Sequence, residues 1–386
     1  MAFSLTDLND SLLHLEKSFL ATVAIDFGTT YSGFAFSFNK EQGEDSIFMN
    51  REWVSELGHR TSKTPTCLLL KPDQSFHSFG YKAVEKYANL KSLSEEKEYF
   101  FFQHFKMFLH NDESLNLDTK ITAANGIPLQ AKLVFAHSIK FLKDEAVKII
   151  RHQTGDDGYK VEDIQWVLTV PAIWTPRAKQ FMRESAYEAG IGSRDHPEQL
   201  LIALEPEAAA LFCTEKKLNE MGSVSVEGQL SQPNAHYMVV DIGGGTLDVT
   251  VHEKQDDGTI KEIYKVTGGP YGGMKKRGVP CPSEKRNKNS LPRSFVSTIN
   301  DFLTTALKCY ASGEVRILND EYLCLSSRVM VKLFEPVLEA MKDHLKVLLR
   351  GATAFTSEGN AFWLEGSQIL FSFRKKSKKS FPAGVV

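Results

Sequence analysis

The 386-residue chain is long enough for two lobes with sizeable cores, and its 42% hydrophobic and 24% charged residues are typical of a soluble globular protein. Its net charge of −2 gives no general attraction to nucleic acid or to membranes, and it has no run of 18 apolar residues, so neither a nucleic-acid partner nor a membrane span is expected. The five cysteines are widely spaced without a CxxC pair, which argues against a disulfide framework or a zinc site and favours a reducing compartment: the cytoplasm, with the nucleus as the alternative.

The first half of the chain shows strand and helix patterns in turn. The opening residues carry early acidic side chains and no basic segment before an apolar core, so no signal peptide is predicted there. Two strands joined at a Gly-Thr-Thr turn are predicted at 21–38, and a second strand pair at 64–70 and 75–80. Helical periodicity follows at 80–110 and, more strongly, at 133–153.

The middle of the chain continues this alternation. A β-rich run at 164–174 is expected to end at Pro171. A Thr-Pro pair suited to the N-cap and first helical position opens a helix at 175–191, which closes at Gly190. The remaining predicted elements are a short buried strand at 200–204, a helix at 205–222, a loop at 222–236, a hairpin at 237–251 and a strand at 260–269.

The composition changes after residue 273. Residues 274–293 contain three prolines and, over 275–288, six basic residues against one acid, which predicts a flexible connector; its charge is that of a solvated loop, with a docking patch as the alternative. Apolar residues recur at helical spacing over 326–350, which indicates core packing or helix-on-helix contact. The basic, low-complexity end of the chain is predicted to be disordered.

Two segments share a pattern that suits phosphate binding. VAIDFGTTYSGFAF (23–36) and YMVVDIGGGTLDVTV (237–251) each run from an apolar strand through Asp, an apolar residue and small residues into a returning strand. Small residues at the bend let backbone N–H groups approach an anion. Asp26 and Asp241 repel phosphate but can hold hydrated Mg²⁺, so two such hairpins across a cleft would grip a polyphosphate and its metal; a single one could be an ordinary tight turn.

These hairpins resemble the first and second phosphate motifs of the superfamily of sugar kinases, actin and seventy-kilodalton heat-shock proteins. WVLTVPAIWTPRAKQFMRESAYEAGI and LIALEPEAAAL resemble the heat-shock branch, and KTPT, FHSFGY, FKMFLH, ITAANG and TGGPYG resemble its divergent subfamily-twelve members. The resemblance is continuous over roughly 20–273 and resumes weakly from about 290 to 350. It implies an α/β fold, the two-lobed actin-like ATPase (ribonuclease H-like) architecture with an incomplete second lobe.

The resemblance also implies domain boundaries. The predicted units are an N-terminal extension (1–20), lobe I of the actin-like ATPase domain (21–204), the first part of lobe II (205–273), a basic Pro-containing connector (274–293), the helical remainder of lobe II (294–350) and a divergent, disordered tail (351–386). Within residues 274–386 the sequence shows little likeness to the family's helical subdomain of lobe II and no match to its late Gly-Gly adenosine loop or its peptide-binding domain. A shortened isoform or a gene-model artefact would explain these departures.

The resemblance assigns roles to individual residues. Asp26 and Asp241 would order Mg²⁺ and its waters. Lys106 matches the catalytic lysine, Glu205 the acid that positions water or metal, and Asp248 the acid that helps to orient the nucleophile. The nucleotide contacts would come from Gly28, Thr29, Thr30, Tyr31, Gly243, Gly244, Gly245, Thr246, Gly268 and Gly269. Without the resemblance, Lys106 would be interpreted as a surface lysine on an amphipathic helix and Glu205 as a favourable acid in a first helical turn.

The expected function is that of an ATP-binding, chaperone-like protein of the stress response. Slow Mg²⁺-dependent hydrolysis of ATP to ADP would be coupled to lobe closure. The protein would act on client or adaptor proteins. The alternative is a nucleotide sensor or adaptor that does not hydrolyse ATP and acts through partner binding. Lys106, Glu205 and Asp248 favour the enzyme, whereas the missing adenosine motif favours the sensor. A sugar kinase on the same fold is a weaker third reading.

Overall fold

The computed structural model describes most of the chain up to residue 270 and short stretches beyond it. The described residues are 19–39, 47–51, 53–55, 58, 60–110, 114–209, 236–256 and 259–270. Further on, they comprise the backbone of four strands within 315–375 together with residues 339, 343 and 344. The predicted loop at 222–236 and the connector at 274–293 lie outside this set, apart from residue 236.

Strands and helices alternate along the first 204 residues, as the sequence predicts. The helices are α1 (Tyr81–Leu93), α2 (Ala131–Thr154) and α3 (Pro176–Glu188), and a helical stretch is described at 205–209. Single 3₁₀ turns lie at Glu96–Glu98, Phe105–Leu109, Val161–Asp163 and Pro197–Gln199. The strands are β1 (Ala21–Phe27), β2 (Tyr31–Phe38), β3 (Phe48–Met49), β4 (Trp53–Val54), β5 (Arg60–Thr61), β6 (Lys63–Pro65), β7 (Cys67–Leu70), β8 (Phe76–Phe79), β9 (Phe100–Gln103), β10 (Lys120–Thr122), β11 (Pro128–Gln130), β12 (Ile164–Val170), β13 (Leu200–Leu204), β14 (His236–Ile242), β15 (Leu247–Lys254), β16 (Ile260–Gly269), β17 (Val315–Leu318), β18 (Tyr322–Leu325), β19 (Phe355–Leu364) and β20 (Gln368–Lys375).

The first sheet has the order β13-β12-β1-β2-β3, with β6 paired to β2. β1 is parallel to β12 and antiparallel to β2, and β12 is parallel to β13. Every second residue of β1 and β12 is buried, because successive side chains of a strand point to opposite faces. The sheet therefore has one fully buried face, and the loops at its strand ends are held in fixed positions.

Helices α2 and α3 cover that buried face. Phe135 of α2 lies with its ring centroid 5.8 Å from Phe27 of β1, 5.1 Å from Phe105 and 5.6 Å from Phe181 of α3. Helix α3 begins as predicted, since the Thr175 hydroxyl accepts a hydrogen bond from the Ala178 N–H at 3.2 Å and Pro176 is the first helical residue. The aromatic core thereby anchors the 3₁₀ turn Phe105–Leu109 to both helices.

The helix predicted over 80–110 is only partly present. It ends at Leu93, and the chain then forms β9 and the 3₁₀ turn Phe105–Leu109. The reason lies in three consecutive phenylalanines, 100–102, which are all buried and pair with the fully buried strand β7. A strand that is covered on both faces shows no alternation of apolar and polar residues. Its sequence is therefore easily mistaken for part of a helix.

The second sheet has the order β16-β15-β14-β20-β19. β14 and β15 form the predicted hairpin, and β16 is the predicted third strand. The expectation of disorder over 351–386 is wrong for β19 and β20, which extend this sheet beside β14. The apolar run QILF at the start of β20 is a strand signal that outweighs the basic residues following it.

A further correction concerns the segment 294–350, predicted as helical. Strands β17 and β18 form an antiparallel hairpin within it. Their sequences, VRIL and YLCL, are separated by Asn-Asp-Glu, and Asn and Asp favour turns between apolar runs. Of the helix predicted at 326–350, residues 339, 343 and 344 are described, and they are helical.

Candidate functional site

The turns of the two glycine-rich hairpins meet in space. A Cβ added to Gly245 would collide with the Met107 sulfur and would lie 2.9 Å from Thr29 Cγ2 and 3.0 Å from Thr29 Oγ1. Within the second turn, the Gly243 N–H donates to the Thr246 carbonyl at 2.9 Å. The Gly245 backbone therefore lies against the side chains of Thr29 and Met107, and a side chain at position 245 would have to displace them.

The first turn is fixed by Thr66. Its hydroxyl donates to the Gly28 carbonyl at 2.8 Å, and its N–H donates to the Thr30 carbonyl at 2.8 Å. A Cβ at Gly28 would collide with the carbonyl oxygen of Tyr31, so the bend requires glycine. Tyr31 opens β2 with 47% of its surface exposed. The turn is therefore rigid and open on its outer side, which suits a segment that contacts a ligand.

A buried ion pair lies close to these turns. Lys106 Nζ donates to Glu205 Oε1 at 2.7 Å, with 3% of the lysine side chain and 17% of the glutamate side chain exposed. The same ammonium lies 5.2 Å from the centre of the Trp174 ring. Lys106 sits on a 3₁₀ turn that follows His104 in the left-handed region (φ 56), so a local backbone constraint aims the lysine inward.

Glu205 follows β13 directly and carries a perturbed pKa. Burial raises the pKa of its carboxyl to about 7; Lys106 lowers it, whereas Asp26 and Asp241 raise it further. The last two residues belong to the two different hairpins. Glu205 is therefore a carboxyl group within electrostatic range of both hairpins and able to exchange a proton near neutral pH.

Asp248 is the second buried acid of the site, 1% exposed and directly opposite Asp241 in the β14–β15 register. Burial and the nearby Glu205 raise the pKa of Asp248 to about 6, while hydrogen bonds from Thr246 and from the Ile173 N–H, the latter at 3.3 Å, counteract part of that rise. Both buried acids thus have pKa values shifted toward neutrality, a common property of general bases.

Asp26 has a partner that the sequence analysis did not assign. Its Oδ2 lies 2.5 Å from Lys63 Nζ, and its Oδ1 accepts from the Thr169 hydroxyl at 3.4 Å. Lys63 belongs to the KTPT segment, which entered the sequence analysis only as part of a resemblance. Its proximity to Asp26 follows from the pairing of β6 with β2, which no local sequence pattern specifies.

The carboxylates suit magnesium better than a metal that needs a full protein cage. Among the described residues, no three His, Cys, Asp or Glu side chains are grouped so that they could hold a metal ion alone. Mg²⁺ usually keeps several waters and takes one or two carboxylates together with substrate phosphates. Asp26 and Asp241, both acting on Glu205, fit that requirement, so the sequence assignment of these two residues stays a prediction compatible with the geometry.

The glycine pair at the end of β16 lies beside the second hairpin. Gly268 pairs with Asp248, and Gly269 pairs with Leu247. A Cβ on Gly268 would collide with the Leu247 carbonyl, so a close strand approach accounts for this glycine. The structure places these glycines next to the acidic cluster; their contact with a nucleotide is a prediction.

Comparison with known proteins was made by sequence and by structure. No family model matches the chain. Human heat shock 70 kDa protein 12A is 40% identical over 319 residues, which are 72% of this chain and 46% of that protein. Human heat shock 70 kDa protein 12B is 35% identical over 86% of this chain and 61% of its own length. The chain spans about half the length of the curated relatives it matches.

Among solved structures, MreB 5 of Spiroplasma citri bound to AMPPNP is similar over 86% of this chain and 78% of its own, with 12% identity and a TM-score of 0.40. Within the described part of the chain, no helix is both long enough and apolar enough to cross a membrane.

The parallel β1–β12–β13 core, the helices on its buried face and the paired glycine-rich hairpins define an α/β protein with the actin-like ATPase fold, as the sequence predicts. Sequence identity then indicates the relatives within that fold class. By sequence, the chain is related to heat shock 70 kDa proteins 12A and 12B over the part of each that it spans.

Proposed function

We propose that this chain binds Mg-ATP between the two hairpins and hydrolyses it slowly, with closure of the lobes as the output. The observation that supports the proposal best is the buried cluster of Lys106, Glu205 and Asp248 beside the contact between Gly245 and Thr29. A buried lysine among acids with shifted pKa values, next to two glycine-rich turns, has the composition of a phosphoryl-transfer site.

Binding rests on backbone and metal rather than on long side chains. The turns Gly28–Tyr31 and Gly243–Thr246 supply N–H and hydroxyl donors to the phosphates from opposite sides, and Gly268 and Gly269 lie against the nucleotide. Asp26 and Asp241 would hold a hydrated Mg²⁺, which when bound would neutralise part of the phosphate charge.

Hydrolysis needs little covalent chemistry from the protein. The Lys106 ammonium, fixed by Glu205 at 2.7 Å, stabilises the negative charge that develops on the terminal phosphoryl group. Glu205 and Asp248 orient the attacking water, and with pKa values of about 7 and about 6 either can accept its proton at neutral pH.

The second candidate is a sensor or adaptor that binds nucleotide without hydrolysing it. It is favoured by strands β19 and β20, where the sequence lacks the family's adenosine loop and where β20 pairs with β14 and β19 pairs with β20. Fewer contacts to the base would weaken affinity, because apolar burial contributes much of the binding in such sites.

Phosphate release from Mg-ATP by the purified chain distinguishes the two candidates. The enzyme predicts slow release of phosphate and ADP that falls by roughly 10²–10⁴-fold in Asp248→Asn, the range for loss of a general base. Lys132→Met serves as the control, since Lys132 pairs with Glu188 3.2 Å away on the helical surface. Nucleotide binding without release supports the sensor, and a folded chain that binds no nucleotide contradicts both.

The wider role follows from the family rather than from the site. As a chaperone-type protein the chain acts on client or adaptor proteins during stress, in the cytoplasm. Affinity capture with Mg-ATP and with ADP tests this role: partners that change with the nucleotide support it, and a set identical in both states contradicts it.

A further inference from the structure

Lys63 occupies a position that none of the sequence motifs explains. It pairs with Gly33 across the β6–β2 ladder, just after the first phosphate turn. Its ammonium lies 2.5 Å from Asp26 Oδ2, and both side chains are partly open to solvent, with 52% and 43% exposed. This ion pair therefore lies at the mouth of the candidate site and not in its interior.

The backbone makes room for this lysine. A Cβ on Gly33 would lie 2.8 Å from the Ser62 carbonyl and 3.0 Å from Lys63 Cγ. Such contacts are shorter than side chains tolerate, so glycine at position 33 lets the stem of Lys63 lie flat against β2. Strand pairing thus sets the position of the first part of the Lys63 side chain, while the ion pair with Asp26 sets the position of the ammonium.

The acidic residues around the site require an accessible cation if a polyphosphate is to bind. Asp26, Glu205, Asp241 and Asp248 are close enough to influence one another or the lysines, and they would repel a polyphosphate. Lys106 is buried and bonded to Glu205. Lys63, by contrast, is half exposed and interacts electrostatically with Asp241 and Glu205 across the site as well as with Asp26.

We propose that Lys63 is a phosphate-binding residue of the nucleotide site: it neutralises Asp26 before binding and transfers its ammonium to a terminal phosphate oxygen when Mg-ATP enters. This inference rests on the proposed function and adds a residue to it. When the lysine moves to the phosphate, Asp26 is left free to hold the hydrated Mg²⁺ that would accompany the nucleotide. No bond other than hydrogen bonds changes.

The exchange predicts how affinity depends on the number of phosphates. A lysine that bonds a terminal phosphate strengthens ATP binding most, ADP binding less and AMP binding little. A lysine that only stabilises the β1–β2–β6 region through Asp26 would change all three equally. The same ammonium also supports some ATP binding in the absence of Mg²⁺.

The test is calorimetric titration of ATP, ADP and AMP into the wild-type chain and the variants Lys63→Met and Lys63→Arg, in Mg²⁺ and in EDTA. Lys140→Met is the matched control, because Lys140 forms a 2.9 Å ion pair with Asp144 at similar exposure, 54% and 53%. We expect Lys63→Met to weaken ATP binding about 10–100-fold, the range for one charge-assisted hydrogen bond. Lys63→Arg and Lys140→Met should stay within a few-fold of wild type.

Two results would overturn the role of Lys63 while leaving the proposed function intact. One is unchanged or tighter ATP binding by a folded Lys63→Met; the other is an equal loss for ATP, ADP and AMP. If Lys63→Met does not fold, Lys63→Gln replaces it, because the amide removes the charge but keeps a polar side chain, and the same selective loss of ATP binding is expected. A wild-type chain that binds none of the nucleotides rejects the proposed function itself.

Discussion

Replacing Glu205 by Gln should stabilise the ligand-free protein at alkaline pH. The structure raises the pKa of Glu205 from 4.5 to about 7, chiefly through burial and in part through Asp26 and Asp241. An acid whose pKa is raised on folding contributes full stability below its unfolded pKa and loses it as the pH rises through the folded value. The wild type therefore loses stability as the pH rises from about 4.5 to 7. The Glu205→Gln variant does not, because its amide stays uncharged.

The size of the effect follows from the two pKa values. The difference between 4.5 and about 7, at about 1.4 kcal/mol per pH unit, gives about 3 kcal/mol. Below pH 4.5 the protonated carboxyl and the amide are near-equivalent partners for Lys106, so the wild type and the variant should be equally stable. Above pH 7.5 Glu205→Gln should be the more stable by about 3 kcal/mol, as expected when a functional group is kept at a cost in stability.

Urea unfolding followed by tryptophan fluorescence at pH 5, 6, 7 and 8 measures this difference. Titrating groups that do not interact with Glu205 affect both chains alike and cancel, whereas Asp248, whose pKa Glu205 raises, adds to the difference in the same direction. Glu188→Gln is the control, because Glu188 is 55% exposed in its ion pair with Lys132, and its difference from wild type should stay flat with pH. A Glu205→Gln variant that is less stable at pH 8, or whose difference does not change between pH 5 and pH 8, would refute the electrostatic reasoning.

Two further predictions test the contact between the hairpins and the second sheet. Gly245→Ala places a Cβ against Met107 and Thr29, and we expect a loss of about 1–3 kcal/mol from overpacking together with reduced Mg-ATP affinity; unchanged melting and affinity would show that the turns do not meet as described. His252 is fully buried, both ring nitrogens lack a hydrogen-bond partner among the described residues, and burial lowers its pKa to about 4. Its contribution is present above the unfolded pKa of 6.5 and is lost as the pH falls toward 4, so His252→Leu should remove about 3 kcal/mol of acid sensitivity, and identical acid unfolding of both chains would contradict this.

The hairpins and most strands and helices of residues 21–204 were predictable from sequence because their signals are local. Asp26 and Asp241 each end an apolar strand before a run of small residues, and the resulting turns are where the motif indicates. Thr175 and Pro176 give the start of α3 to the residue for the same reason, since capping depends on neighbouring backbone groups only.

The features that the sequence did not predict depend on contacts between distant segments. Phe100–Gln103 reads as a continuation of a helix until its pairing with β7 buries both faces. Lys106 matched a catalytic lysine by resemblance, but its burial at 2% exposure depends on the turn that follows that strand. Lys63 was not assigned a role because its approach to Asp26 is a consequence of β2–β6 register. Strands β19 and β20 were missed because the basic residues near the end of the chain indicated disorder more strongly than the short apolar run QILF indicated a strand.

Calorimetric titration of Mg-ATP into the wild-type chain and Asp241→Asn tests whether the two hairpins form a nucleotide site. The account predicts saturable binding by the wild type and at least about tenfold weaker binding by the variant, the loss expected for one charged metal partner. Asp144→Asn, an exposed change on α2, should bind as the wild type does. A parallel melting experiment should show about 2.7 kcal/mol of stabilisation at a ligand concentration 100 times the dissociation constant. A folded wild-type chain that neither binds nor is stabilised by Mg-ATP would contradict the claim that these hairpins form a nucleotide site.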